Sequence, residues 1–342
     1  MTPYAACIVL ALALFVPTSV RAQGLFRKSD ALDITITTRL GALIRDRDST
    51  DRAMHGAELS YKDSSGTFVK VAIALRTRGH FRRQARNCDF PPLKVEMTRP
   101  AAKNTIFEGN RTLKLASTCR PSRGEYEQYI LQEFALYRMY QALTPWSYRT
   151  RLAHVTYQDS TGKTKPVQSW AFFVEGDGDL ADRRDSKRIE TKGAYFDDLD
   201  HQQTGLMQLF AYMVGNTDWS VSGLHNVTLL KDSLGVVRPV PFDFDWAGAV
   251  DARYAFPDKS LDISNVRTRL WRGDCRMQEA MAPTIERFLA RRPALDSVYT
   301  TLAGMTPAVS EKMRKYFAEF WPLLDNPKKL IAEFKRTCRD RN

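Results

Sequence analysis

The sequence predicts an α+β protein of two lobes, β-rich in its N-terminal half and mainly helical in its C-terminal half. Three observations carry that expectation. From about Leu32 to Ser117, apolar and polar residues alternate in short runs, the period of half-buried strands. After Asp200 the apolar residues recur mostly at helical spacing. Between these regions lies a polar, aromatic segment, as expected where two lobes of different class meet around a cleft.

The chain of 342 residues opens MTPYAACIVLALALFVPTSVRAQG. Its apolar stretch, about Ala5 to Val16, is too short to span a bilayer, which takes about 20 residues. It suits the core of a secretory signal peptide covering residues 1–22, with cleavage after Val20-Arg21-Ala22 and Gln23 as the new N-terminus. The competing reading is a buried N-terminal helix. No later segment has the length of a transmembrane helix. The expected product is exported, periplasmic or extracellular, and a monomer.

Strands are expected at DITITTRL, at ELSYKDSSGTFVKVAIALRTRG with a turn at Asp63-Ser-Ser-Gly66, at PPLKVEM and at RTLKLAS. A helix follows from about Gly124 to Leu143, with Ile130, Phe134, Tyr137 and Gln141 on one stripe, and Thr144-Pro145 ends it. TRLAHVTY and PVQSWAFFVE form a second strand pair around Asp159-Ser-Thr-Gly162. Helices are then expected at HQQTGLMQLFAYMVGN, Glu279 to Arg291, Pro307 to Trp321 and Pro327 to Thr337, with a hairpin in NVTLLKDSLGVVRPVPFDFDW. These elements divide into a lobe over 23–175 with one helix and a mainly helical lobe over 176–342 that carries the hairpin.

Of five cysteines, Cys7 leaves with the signal peptide. The other four allow three pairings in an oxidising compartment. If PPLKVEM and RTLKLAS pair antiparallel with Lys94 opposite Lys114, Cys88 and Cys119 fall almost opposite, leaving Cys275 for Cys338. A cysteine metal site fits poorly, because no CxxC spacing is present and there are only five histidines. Hydrophobic content of 43% fits a globular chain. The net charge of +12 and pI near 9.5 suit acidic partners such as phosphates, nucleotides or anionic envelope polymers. Nucleic acid is not an expected partner.

The chemistry concentrates in GNTDWSVSGLHNVTLLKDSLGVVRPVPFDFDWA, Gly215 to Ala247. A helix ends at Gly215, and Asp218 opens a polar loop. The hairpin carries Asn226 and Asp243 to the same end, with Asp245 two residues on. Oxygen ligands at neighbouring strand ends suit Mg²⁺, which binds through one or two carboxylates plus substrate phosphates. A loop carboxylate such as Asp218 then orients an attacking hydroxyl, the division of labour of protein kinases.

From about Ala74 to Trp246 the chain resembles the spore-coat CotH kinase-like family. LRTRGHFRRQARNCDFPPLKVEM is similar to the family's Arg-Gly loop and lysine strand. WAFFVEGDGD is similar to its aromatic strand ending in Val-Glu. GNTDWS, HN and PVPFDFD follow its order of Asn-x-Asp, Asn and Asp-x-Asp. The resemblance implies a two-lobed atypical protein-kinase-like fold binding ATP, or another nucleotide, with Mg or Mn between the lobes. It implies that Lys94 contacts nucleotide phosphates, that Glu133 or else Glu127 pairs with Lys94, and that Arg78 with Gly79, His80, Arg82 and Arg83 lies near phosphates. Asp218 is then the catalytic aspartate, and Asn226, Asp243 and Asp245 hold metal. The implied activity is phosphoryl or nucleotidyl transfer to a hydroxyl of a protein or envelope acceptor. The Asp218–Asn226 spacing is eight, wider than the usual five, and no GxGxxG loop is present.

Two other functions use the same residues: a catalytically inactive binding module for an anionic envelope ligand, and a metal-dependent phosphoester hydrolase. Each residue also has a plain structural reading. Asp243 and Asp245 suit a turn, and Asp218 an N-cap. Lys94 suits a solvent-facing strand position, Glu133 a solvated helix face, and Arg82, Arg83 and Arg86 a solubilising surface.

Overall fold

The computed structural model describes residues 24–47, 53–276 and 278–338. The expected signal peptide lies outside the described residues. Seven strands close into a barrel: β1 (Leu32–Thr38), β2 (His55–Lys62), β3 (Phe68–Thr77), β4 (Leu93–Glu96), β5 (Thr112–Ser117), β6 (Thr150–Asp159) and β7 (Val167–Val174), in the order β1-β2-β3-β4-β5-β7-β6. All neighbours are antiparallel except β1 and β6, whose parallel pairing closes the ring. Short helices α1 (Leu40–Arg45) and α2 (Arg99–Ala102) lie in the connections, and the long α3 (Gly124–Leu143) links β5 to β6.

After the barrel come α4 (Asp177–Arg183), β8 (Ser186–Ile189), α5 (His201–Val214), β9 (Val227–Asp232) and β10 (Val237–Pro241), with the strands in a separate sheet ordered β10-β9-β8. Helices α6 (Gln278–Thr300), α7 (Pro307–Ala318), α8 (Trp321–Leu324) and α9 (Pro327–Thr337) complete the chain. Among the described residues no helix is long and apolar enough to cross a membrane.

Two cores share the barrel wall. Leu59, Leu75, Leu93, Val95, Leu113, Leu115 and Phe173 fill the barrel interior. On the outside, Leu152 and Phe172 join Phe134 and Tyr137 of α3, Phe210 of α5 and Phe288 of α6 in a second core. Successive strand residues point to opposite faces, so Phe172 and Phe173 enter different cores. That is why WAFFV reads as a continuous apolar run and not as an alternation.

This arrangement corrects the expected two-lobed, atypical protein-kinase-like fold. The strands form a closed barrel, and α3 does not belong to a separate N-terminal lobe. Its core is continuous with α5 and α6, so no division falls where the strand-rich sequence gives way to the helical one. Alternation reports that strands exist, but closure depends on the β1–β6 pairing between segments over a hundred residues apart.

Local expectations held more often. Lys94 stands opposite Lys114, and Cys88–Cys119 and Cys275–Cys338 are the disulfides, spanning 31 and 63 residues. On the chain-entropy account the longer loop is worth roughly 4 kcal/mol. The Asp63 carboxylate accepts from the backbone N–H of Ser65 and Thr67 in the expected β2–β3 turn. Helix α6 runs beyond Arg291 through Pro293, because Phe288, Leu295 and Tyr299 bury one face on both sides of the proline.

Candidate functional site

The β9–β10 hairpin brings Asn226 and Asp243 together: Phe242 N–H donates to the Asn226 carbonyl at 2.9 Å. Both residues are left-handed, with φ of 53° and 62°. Asn and Asp tolerate that region better than other side chains, and such strain collects at functional sites. Asp243 is held from the other core element as well, its N–H donating to the Tyr137 hydroxyl of α3 at 2.8 Å.

Asp243 and Asp245 meet Glu133, projecting from α3. One carboxylate oxygen from each lies within 4.8 Å of the others. Glu133 is 2% exposed, and its Oε2 has no hydrogen-bond partner. A buried cation beside them is Arg82, 3.5 Å from Asp245 and 3.9 Å from Glu133, which also donates to the Ser117 carbonyl. The Tyr254 hydroxyl donates to Asp245 at 3.2 Å. Burial, then Asp245 and Asp243, push Glu133 well above the usual carboxylate range. Burial and Asp243 push Asp245 up to about 7. Burial alone would lower the Arg82 guanidinium, but Tyr254, Asp245, Glu133 and Asp243 together raise it.

Fully ionised, the three carboxylates would outweigh the one guanidinium by two negative charges, and the raised Glu133 and Asp245 relieve that excess by holding protons when no cation is bound. A divalent cation supplies that balance. The donors are all oxygen, the set preferred by Mg²⁺ or Mn²⁺, and the orphaned Glu133 oxygen is available to one. The residues therefore fit such an ion.

Asp218 lies next to this cluster. Its Oδ2 accepts from the Asn226 amide at 3.0 Å, its backbone carbonyl accepts from the same amide at 2.8 Å, and its Oδ1 is 2.8 Å from His225 Nε2. The eight-residue separation does not part Asp218 from Asn226, because Ser220 and His225 pair in a two-way backbone bridge that loops out the residues between. The Asp218 bond raises the His225 pKa against the lowering effect of burial.

Against the barrel wall opens a cavity of about 500 Å³. Five cations line it: Arg78, Lys94, Arg111, Lys114 and Arg188. Lys94 and Lys114 project outward from β4 and β5, while Leu93, Val95, Leu113 and Leu115 point into the barrel. Lys114 bonds Asp177 at 2.6 Å and rests on the rings of Tyr148 and Phe242, the residue before Asp243. Burial lowers the Lys114 pKa against the opposing pull of Asp177. Gly176 makes the approach possible, since a Cβ there would meet the Thr112 carbonyl at 2.5 Å.

Several expectations need correction. Lys94 does not pair with Glu133. It is 42% exposed and binds Glu96 at 2.9 Å, so its plain solvent-facing reading holds in part. Glu133 is no solvated helix residue, because α3 is buried on nearly all sides. It joins Asp243 and Asp245 instead. Glu127 turns elsewhere, accepting from Trp170 N–H. Arg82 and Arg83 are buried rather than solubilising, whereas Arg86 is exposed. Arg78 does line the cavity, with Gly79. Lys114 and Asp177 were missed as a site pair. The Lys94–Lys114 register and the acidic run after β7 were the available signs.

No protein-family model matches the chain, and no curated protein matches it in sequence.

The cluster has a pH signature. Asp245 has a folded pKa raised from 3.8 to about 7, and His225 has one raised from 6.5. A raised pKa stabilises the fold fully below the unfolded value and loses that contribution as pH rises through the folded value. Stability of the metal-free chain should therefore fall as pH rises from 3.8 through about 7 for Asp245, and further above 6.5 as His225 loses its proton. Urea melts at successive pH values check this, and saturating Mg²⁺ should flatten the slope. A metal-free chain that gains stability over that window would refute the assignment.

Proposed function

We propose that the chain is an exported phosphotransferase that uses a divalent cation to move a phosphoryl group from a phosphate-rich donor, such as a nucleotide, to a hydroxyl of a protein or envelope acceptor. The observation that carries this reading is the charge arrangement. A carboxylate triad that is two charges short of balance when fully ionised adjoins a cavity lined by five cations. Adjacency is supported by Arg78, which lines the cavity and whose charge acts on Glu133. The two disulfides and the basic surface agree with a periplasmic or extracellular site.

Glu133, Asp243 and Asp245 would hold the cation, which when bound neutralises charge on the donor phosphates. The remaining roles belong to the chain. Arg78 and Lys114 bind and orient the donor phosphates. Asp218, held by the Asn226 amide, accepts the acceptor hydroxyl's proton as the oxygen attacks phosphorus. As that P–O bond forms, the donor's P–O bond breaks and its electron pair leaves on the departing phosphate. His225, with its side chain 58% exposed and bonded to Asp218, passes the proton to solvent.

Asp218→Asn should leave cation and donor binding within about twofold and reduce transfer by about 10²–10⁴. Equilibrium binding and product formation, measured on the same preparation, separate the two. Equal loss of both would remove Asp218 from the base role. One observation favours a hydrolytic alternative: the side chains of Asp218 and His225 are open enough for water to reach them. Phosphate release undiminished by any added hydroxyl acceptor would select that reading.

A further inference from the structure

The cavity that would take the donor has an unusual lining. Beside its five cations stand only Asp177, Asp179, Thr112 and three glycines. Among the described residues, not one apolar or aromatic side chain lines it. A nucleobase ordinarily needs a flat apolar wall, since its ring is gripped by stacking and by burial of its faces. The flat or apolar surface the lining offers is limited to the guanidinium planes and aliphatic stems of its arginines and lysines. Phe242 and Tyr148 are close, but Lys114 lies across both rings.

What the lining does offer is repeated anion recognition along its length. Arg78 has no ion pair or side-chain hydrogen bond among the described residues. Lys114 and Arg188 share Asp177 through its two oxygens, and Arg188 also pairs with Glu190. Lys94 and Arg111 reach out to Glu96 and Asp182, neither of which lines the cavity. Three of the five cations, Lys94, Arg111 and Arg188, are also paired at the rim with Glu96, Asp182 and Glu190, which leaves Arg78 as the cation without an ion pair among the described residues. A row of five cationic side chains, one of them unpaired and four held by carboxylates, suits several linked phosphate groups better than one phosphate monoester. A volume near 500 Å³ also exceeds the need of a single phosphate.

We infer that this cavity is a base-indifferent site for a condensed phosphate chain, recognising the pyrophosphate or triphosphate moiety and leaving whatever is attached to it in solvent. The inference rests on the phosphotransfer reading above for its role as donor site, but the binding claim is separable. Inorganic polyphosphate and the tail of a nucleoside triphosphate share this chemistry.

The test is calorimetric titration of the oxidised chain in Mg²⁺ at low salt with phosphate, pyrophosphate, tripolyphosphate, ATP and adenosine. Affinity should rise at least tenfold from phosphate to tripolyphosphate. ATP should bind within about threefold of tripolyphosphate, and adenosine should not bind. Arg78→Ala, which removes no ion pair among the described residues, should weaken tripolyphosphate at least tenfold and retain Mn²⁺ binding no weaker than in the wild type, since the Arg78 charge opposes a cation beside Glu133. ATP binding tenfold or more above tripolyphosphate would overturn the inference in favour of a base-reading site. Mn²⁺ binding with no binding of any phosphate would overturn it while sparing the carboxylate cation site. Loss of both in a folded chain would overturn the proposed function with it.

Discussion

Asp243→Asn should make the metal-free chain more stable while abolishing its response to Mg²⁺ or Mn²⁺. The two effects have one cause. Asp243 adds a negative charge to Glu133 and Asp245 in a cluster that Arg82 contacts from its buried side. Removing that charge relieves repulsion worth on the order of 1 kcal/mol. It also removes a ligand, and should weaken divalent-cation affinity by about 100-fold or more. Wild type at a cation concentration 100 times Kd should gain about 2.7 kcal/mol, and the variant almost nothing. Asn is the right replacement because Asp243 sits at φ 62°, where Ala would add backbone strain. Thermal or urea unfolding, with and without the cation, reads both quantities. A variant that is less stable without metal yet still responds to it would contradict the cluster.

Arg82→Leu should be the most destabilising substitution in the site. The guanidinium lies between Glu133 and Asp245 and also donates to the Ser117 carbonyl on β5, joining α3, the β10 end and the barrel wall. Taking away one partner of a buried ionic group leaves the others uncompensated, at a cost of about 3–5 kcal/mol. The loss should shrink at pH 5, where the carboxyls of Glu133 and Asp245, already raised, carry protons. Arg82→Lys keeps the charge and should lose less. Chemical denaturation of the three forms at pH 5 and pH 7.5 tests this. A loss that does not depend on pH would point to packing alone.

How much of this was legible in the sequence differs by scale. Turns and registers were readable because their causes are local. Asp-x-x-Gly spacing encodes the hairpins, and the lysine pairing placed Cys88 beside Cys119. The hairpin's delivery of Asn226 to Asp243 followed from the same local geometry. Barrel closure was not legible, since β1 and β6 pair across more than a hundred residues with no signature in either strand. The role of Glu133 was misjudged for a related reason. Its helix position reads as solvated until the barrel wall and α6 are packed around it. The choice between Lys94 and Lys114 turned on the same missing information. Both face outward from the barrel, but only Lys114 is covered, by Asp177, Tyr148 and Phe242.

The central claim is that Glu133, Asp243 and Asp245 form a divalent-cation site. Calorimetric titration of Mn²⁺ into the oxidised chain, stripped of metal beforehand, tests it most directly. The account predicts one saturable site per chain, retained in Arg78→Ala and lost in Asp243→Asn. A folded wild-type chain with no saturable Mn²⁺ binding, or a site that survives Asp243→Asn unchanged, would contradict it.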